Sequence, residues 1–156
     1  MVRTLIFTGI LTLLPISELR GGIPYALSMS LNPVFTYFYC VSLNILVAPL
    51  VFIFLSTIHK LLYKWKPYRK FFDRVIDRTR KKVKPKVDKY GYLGLTIFVA
   101  IPLPVTGAYT GSIGAWILGM DKKKSFVGIS LGVSIAGIVV SVVAYYGIKA
   151  LYFFIK

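Results

Sequence analysis

Glu18 and Arg20 are the residues best placed to do chemistry in this chain. They stand two apart between the apolar runs Leu5–Ile16 and Ile23–Leu31, and no further charge follows until the cluster that starts at His59 and Lys60. An ionisable side chain deep in a bilayer costs about 2.5–3.5 kcal/mol on insertion scales, so it usually has a function and a partner. Two readings stay open. In one, Glu18 carries a proton and Arg20 holds an anionic head group. In the other, the two form a buried ion pair that locks the segment. Residues two apart on an unbroken helix point to nearly opposite sides. Direct pairing therefore needs an unwound segment, which Gly21, Gly22 and Pro24 would supply.

A second polar interruption comes later. Pro102, Pro104, Gly107 and Gly111 break an apolar stretch, and Thr106, Tyr109 and Thr110 bring hydroxyls to it. Broken backbone at membrane depth is tolerated where it is buried in protein or lines a watery cavity. N–H groups freed at a half-helix start could bind a phosphate or carboxylate, although helix packing would use the same glycines. Asn44, inside another apolar run, is a further candidate for a polar site or an interhelical bond. Cys40 is the only cysteine and His59 the only histidine, and the chain has five acids. Nothing spells a nucleophile–base pair, metal-ligand spacing, P-loop or dinucleotide fingerprint. The expectation is no enzyme, no cofactor and no metal.

The elements that position these residues follow from the charge distribution. Arg20 to His59, Gly91 to Met120 and Ser125 to Ile148 enclose stretches without a charged side chain, and mean hydropathy is +0.72. A globular surface could not be wetted that way; the chain is expected to be an all-α integral membrane protein. Residues 33–62 and 122–154 are long enough to span, since a spanning helix needs about 20 apolar residues. Asn32-Pro33 offers a cap and a first-turn proline, and Pro49 predicts a kink. The runs in 4–31 and 91–120 are each interrupted too early to cross. They read as re-entrant hairpins with tips at Pro15, Gly21, Gly22 and Pro24, and at Pro102, Pro104, Gly107 and Gly111.

Thirteen of the 20 basic residues lie from Lys60 to Lys89, and Lys122–Lys124 form a second cluster. Both belong on the cytoplasmic side. A hairpin across 91–120 satisfies that; a single span would separate them. The halves also repeat: a shift of 89 residues lays Pro15-Ile-Ser over Pro104-Val-Thr, Gly22 over Gly111, Ala26 over Ala115 and Asn32 over Asp121. Each half reads as a hairpin plus one long helix, so the halves must be inverted. Paired interrupted segments in inverted halves point to a transport site.

Between the halves, residues 63–89 form a basic linker. Phe72, Ile76, Thr79, Val83 and Val87 fall at helical spacing, predicting an amphipathic cytoplasmic helix that can lie on an anionic leaflet. A charged surface helix that fixes orientation is the other reading. The net charge of +15 does not point to nucleic acid, because it is confined to these loops. Ser130, Ser134, Gly137, Ser141 and Ala144 form a small-residue stripe, and Gly128 with Gly132 a GxxxG, both suited to close helix packing. The first fifteen residues resemble a signal peptide but lack a small-x-small cleavage site, so the segment is expected to be retained.

The segments Pro15-Ile-Ser-Glu-Leu-Arg-Gly-Gly-Ile-Pro24 and Ile101-Pro-Leu-Pro-Val-Thr-Gly-Ala-Tyr-Thr-Gly111 resemble the DedA superfamily, also called VTT-domain proteins. They look most like its compact prokaryotic branch of small multidrug export proteins. The resemblance covers nearly the whole chain. It implies re-entrant loops that meet near the membrane centre, a role in moving lipids by scrambling or polyprenyl-phosphate recycling, and Glu18 as the acidic residue of the first loop. The arginines that superfamily members carry around the second loop are missing here, and Arg20 is the one charge of that kind. The resulting expectation is a multi-pass plasma-membrane transporter for an amphipathic, phosphate-bearing lipid, with proton coupling through Glu18. Its partners would be membrane lipids and a homo-oligomeric second copy. A proton-coupled drug exporter and a membrane scaffold are the alternatives.

Overall fold

Asn32 opens the first long apolar element. Its Oδ1 accepts from the N–H groups of Val34 (3.0 Å) and Phe35 (3.1 Å), and Pro33 takes the first helical position of α3, Pro33–Ile45. The computed structural model describes residues 1–103 and 106–155, and all elements among them are helices. After a break at Leu46 the path continues as α4, Val47–Ser56. Pro49 has no N–H for the carbonyl of Ile45, so the interruption falls ahead of the proline rather than at it. A second break at Thr57 sets off the short α5, Ile58–Leu62. The span expected over 33–62 with a kink at Pro49 is thus broken at Leu46 and ends at Ser56.

Asp121 caps the other long element, α8 (Lys122–Ile155), accepting from Lys124 N–H at 2.9 Å. Pro33–Ser56 and Lys122–Ala150, 24 and 29 residues, are long and apolar enough to cross a membrane. At 1.5 Å per residue they measure about 36 and 44 Å, against a hydrocarbon core of roughly 30 Å. They lie antiparallel. Lys122 Nζ donates to Ser56 Oγ (2.7 Å) at one end, and Tyr37 donates to the Ser134 carbonyl (3.2 Å) further along. Their outer faces are apolar, with Phe38 63% and Val143 67% exposed. Such a surface suits lipid rather than water.

Two helix pairs fill the space beside them. α1 (Val2–Leu13) folds back through Leu14–Ser17 onto α2 (Glu18–Ser28), with Phe7 beside Tyr25 and Thr12 against Gly22. At twelve residues α1 reaches only about 18 Å. The second pair is the end of α6 (Lys66–Ala100) with α7 (Ala108–Ile117), where Gly111 meets Leu95 and Val99. Each returning helix packs on the long helix of the other half: α2 on α8, and α7 on α4.

The basic linker departs from expectation in what it touches. At Gly91 (φ 57°) α6 folds back sharply, so that Gly94 sits against the Lys86 carbonyl and Lys86 Nζ lies 5.3 Å from the Phe98 ring. The predicted apolar face is present, but it packs on the protein itself. Val83 is fully buried against Gly114, and the Phe72 ring lies tilted 4.1 Å from His59 and edge-on 6.5 Å from Trp116. What remains outward is the Lys and Arg face.

Candidate functional site: the contact between the hairpin turns

The carbonyls at the end of α1 find their partners outside the helix. A helix leaves its last four carbonyls without intrahelical donors. Here Ile10 accepts from Leu14 N–H (3.0 Å), Leu11 from the Ser17 hydroxyl, Thr12 from Asn44 Nδ2 (3.1 Å) and Leu13 from the Tyr109 hydroxyl (2.5 Å). Asn44, 1% exposed, thus ties α3 to the first turn, while its Oδ1 has no partner among the described residues.

The second turn is closed by Thr106. Its Oγ1 accepts from Leu103 N–H (3.1 Å) and lies 2.6 Å from the Ile101 carbonyl. Thr106 is therefore occupied within its own loop, and Pro104 lies outside the described residues. Gly107 then precedes α7 with φ 134°, backbone that only glycine adopts without strain. It leaves the first N–H groups of α7 without a side-chain cap from their own segment.

Glu18 supplies that cap from the other hairpin. Its side chain is 6% exposed, Oε1 accepts from Tyr109 N–H at 3.4 Å, and a Cβ on Gly107 would collide with the carboxylate. A carboxylate at a helix N-terminus meets orphan N–H groups and the positive end of the macrodipole. Glu18 itself has φ 47°, uncommon for a residue other than glycine, asparagine or aspartate. Tyr109 thus grips the first turn twice, through its amide to Glu18 and through its hydroxyl to Leu13.

Of the two readings of Glu18 and Arg20, the ion pair is not formed. Arg69–Asp73 is the only ion pair among the described residues. Gly21, Gly22 and Pro24 do not unwind the segment; they lie inside α2, and the turn is Leu14–Ser17, with Pro15. Gly22 serves packing, since Thr12 Oγ1 fills the place its side chain would take. Residues two apart on a continuous helix diverge. Arg20 accordingly faces a different space, an apolar groove of about 400 Å³ shared with Pro24, Pro102, Val140, Val143 and Ile148. Gly111, inside α7, is a packing site against Val99, and Thr110 sits half-buried in the first turn of that helix. A separate apolar cavity of about 590 Å³ is bounded by Pro15, Leu55, Phe72 and Tyr109 and shares no lining residue with the Arg20 groove.

The residues not anticipated are Thr12, Leu13 and Ser17, whose roles are backbone bonds between elements. One relation was readable: the offset of 89 that aligns the halves also aligns Glu18 with Gly107. Against protein-family models, residues 18–139 match the one described as "Putative small multi-drug export protein". No curated protein and no solved structure matches the chain.

Proposed function

The chain belongs to the small multi-drug export family, and from that premise we propose that it is a multi-pass transporter of the cell membrane moving an amphipathic, phosphate-bearing lipid. Arg20 carries the reading. Its guanidinium has no carboxylate partner among the described residues and lines a groove whose other walls are apolar. A guanidinium suits a phosphate through paired N–H donors, and apolar walls suit the attached hydrocarbon.

In this reading both helix pairs are re-entrant hairpins in an inverted repeat, an architecture akin to the DedA superfamily. The offset of 89 supports it position by position. Ser30 (φ 59°) and Gly119 (φ 65°) end α2 and α7 alike, with Leu31 N–H donating to Ala26 and Met120 N–H to Ala115. Asn32 and Asp121 then cap the following long helices. Equivalent residues touch where a pseudo-two-fold axis passes, and Glu18 with Gly107 is such a contact. The cytoplasmic face is the end where Lys122 meets Ser56, and the outward cations of α6 would engage an anionic leaflet there.

The Arg20 groove and the cavity beside Tyr109 share no lining residue; in this reading the contact between the turns is the barrier between them, and a lipid head group passes when it opens. Protonation of Glu18 would weaken its hold on α7, because a neutral acid accepts hydrogen bonds less strongly than a carboxylate. That would couple opening to protons.

The family description names drug export instead. A cationic drug needs an accessible carboxylate, whereas Glu18 is buried and engaged by α7. The test is reconstitution in vesicles with fluorescent lipids. Arg20→Gln should stop movement of an anionic lipid, with partial recovery in Arg20→Lys. Full lipid movement in Arg20→Gln, with cationic-dye export lost in Glu18→Gln, would replace this reading by drug export.

A further inference from the structure

The break at Leu46 has a geometric effect distant from the hairpin turns. Ahead of it, α3 lies close on α8, with Gly137 against Val41 and Tyr37. Beyond it, α4 packs chiefly on α7 and diverges from α8. The gap is a groove of about 500 Å³ between the last turns of α4 and the first turns of α8. Its floor is apolar, from Pro49, Phe52, Phe126 and Val127, and its mouth carries Ser56, Thr57, Lys122 and Lys123. Lys122 reaches across the mouth to Ser56 Oγ, which in turn donates to the Phe52 carbonyl at 2.7 Å. An ammonium has three donors, so two remain for a ligand, and neither lysine is in an ion pair among the described residues. The nearest acid in the chain, Asp121, caps α8.

We propose that this groove holds one anionic phospholipid from the surrounding leaflet, its phosphate between Lys122, Lys123 and the Thr57 hydroxyl and one acyl chain along Phe52 and Val127. Charge complementarity selects the occupant. The mouth is cationic, the lining contains no carboxylate, and the body of the groove opens to the membrane past Ile53, which is 61% exposed. A soluble phosphate ester would leave that floor empty, and a zwitterionic lipid would bring a choline cation to the lysines. The site does not involve Arg20 and stands apart from the transport reading; either holds without the other.

Native mass spectrometry of the full chain, released from detergent containing phosphatidylglycerol or phosphatidylcholine, tests it. One phosphatidylglycerol should be retained per chain in preference to phosphatidylcholine. Lys122→Gln with Lys123→Gln should cut retention by roughly thirtyfold, since each juxtamembrane lysine is worth on the order of 1 kcal/mol toward an anionic lipid. Val127→Trp, at a lipid-facing position that tolerates bulk, should obstruct the groove and cut it similarly with the lysines intact. Lys149→Gln, towards the other end of α8 and outside the groove, should retain the lipid as wild type does. Equal retention of phosphatidylcholine, wild-type retention in both groove variants, loss in Lys149→Gln, or displacement by glycerol phosphate alone would each overturn the assignment.

Discussion

Glu18 and Gly107 stand 89 residues apart, and the carboxylate of the first occupies the space a side chain on the second would need. In the proposed inverted repeat they are equivalent positions of the two halves. One contributes an acid and the other contributes room, and the helix that follows Gly107 is capped by the acid.

Gly107→Ala should therefore be among the most damaging small substitutions in the chain. The new methyl meets the Glu18 carboxylate and sits at φ 134°. Overpacking of a tight site costs about 1–3 kcal/mol and an unfavourable φ of order 1–3 more. Thermal unfolding in detergent should show a large drop in Tm. Combining it with Glu18→Ala should recover only the steric part. A wild-type Tm in Gly107→Ala would refute the contact.

Glu18→Gln and Arg20→Gln should not rescue one another. Their side chains serve different spaces and form no ion pair, so the double variant should be no more stable than the weaker of the two single variants. An ion pair would give rescue, because the double change leaves no unpaired charge. Measuring stability and lipid movement on the same samples should give a folded, inactive double variant; restored transport would mean that the pair is a structural lock.

Topology is open to cysteine labelling. Cys40 is buried and can be replaced by serine to clear the background. Cysteines at Lys66 and Lys123 should then react with an impermeant maleimide from the cytoplasmic side, and one at Met29 from the opposite side. Met29 is preferred to Asn32, whose loss as a cap would cost about 1 kcal/mol. Labelling of Lys66 and Lys123 from opposite sides would exclude the hairpin arrangement.

His59 should make the docking of the linker helix sensitive to acid. Its ring is 7% exposed, packed by Phe72 and Trp116 and 3.1 Å from the Tyr68 hydroxyl. Burial pushes its pKa below the ordinary value of 6.5, with Asp73 opposing. The unfolded chain then protonates first as pH falls. The site's contribution to stability is complete above about pH 6.5 and is lost as pH drops through the lower folded value. In a Trp65→Phe background, Trp116 fluorescence should shift on acidification, and His59→Phe should abolish the shift. A shift that persists in His59→Phe would assign it to another group.

The long helices and the two interrupted runs were legible because apolar length and charge placement report directly on a bilayer. The offset of 89 residues already sets the two interrupted runs side by side in the sequence, and the turns of those runs meet through Glu18 and Tyr109. The glycines of the first hairpin were not: Gly21 and Gly22 look like a break, and only the position of Thr12 shows that Gly22 instead makes room between packed helices. Periodicity identified the buried face of the linker, yet it could not say whether lipid or protein would cover it, since both are apolar partners. The sequence displays the proline at Pro49, but the break falls at Leu46, because the carbonyl that the proline orphans belongs to the preceding turn. The carbonyl of Leu13 carries no side-chain signature at all.

The double grip of Tyr109 makes hydration the toll of any opening. Parting the turns strands the Leu13 carbonyl, the Tyr109 hydroxyl and amide, and the Glu18 carboxylate, and each would cost several kcal/mol in hydrocarbon. A dry separation is thus closed to the molecule. The turns can part only as water or a hydrated head group arrives to take over those bonds, so a bare hydrocarbon of any length should lodge beside the contact without releasing it.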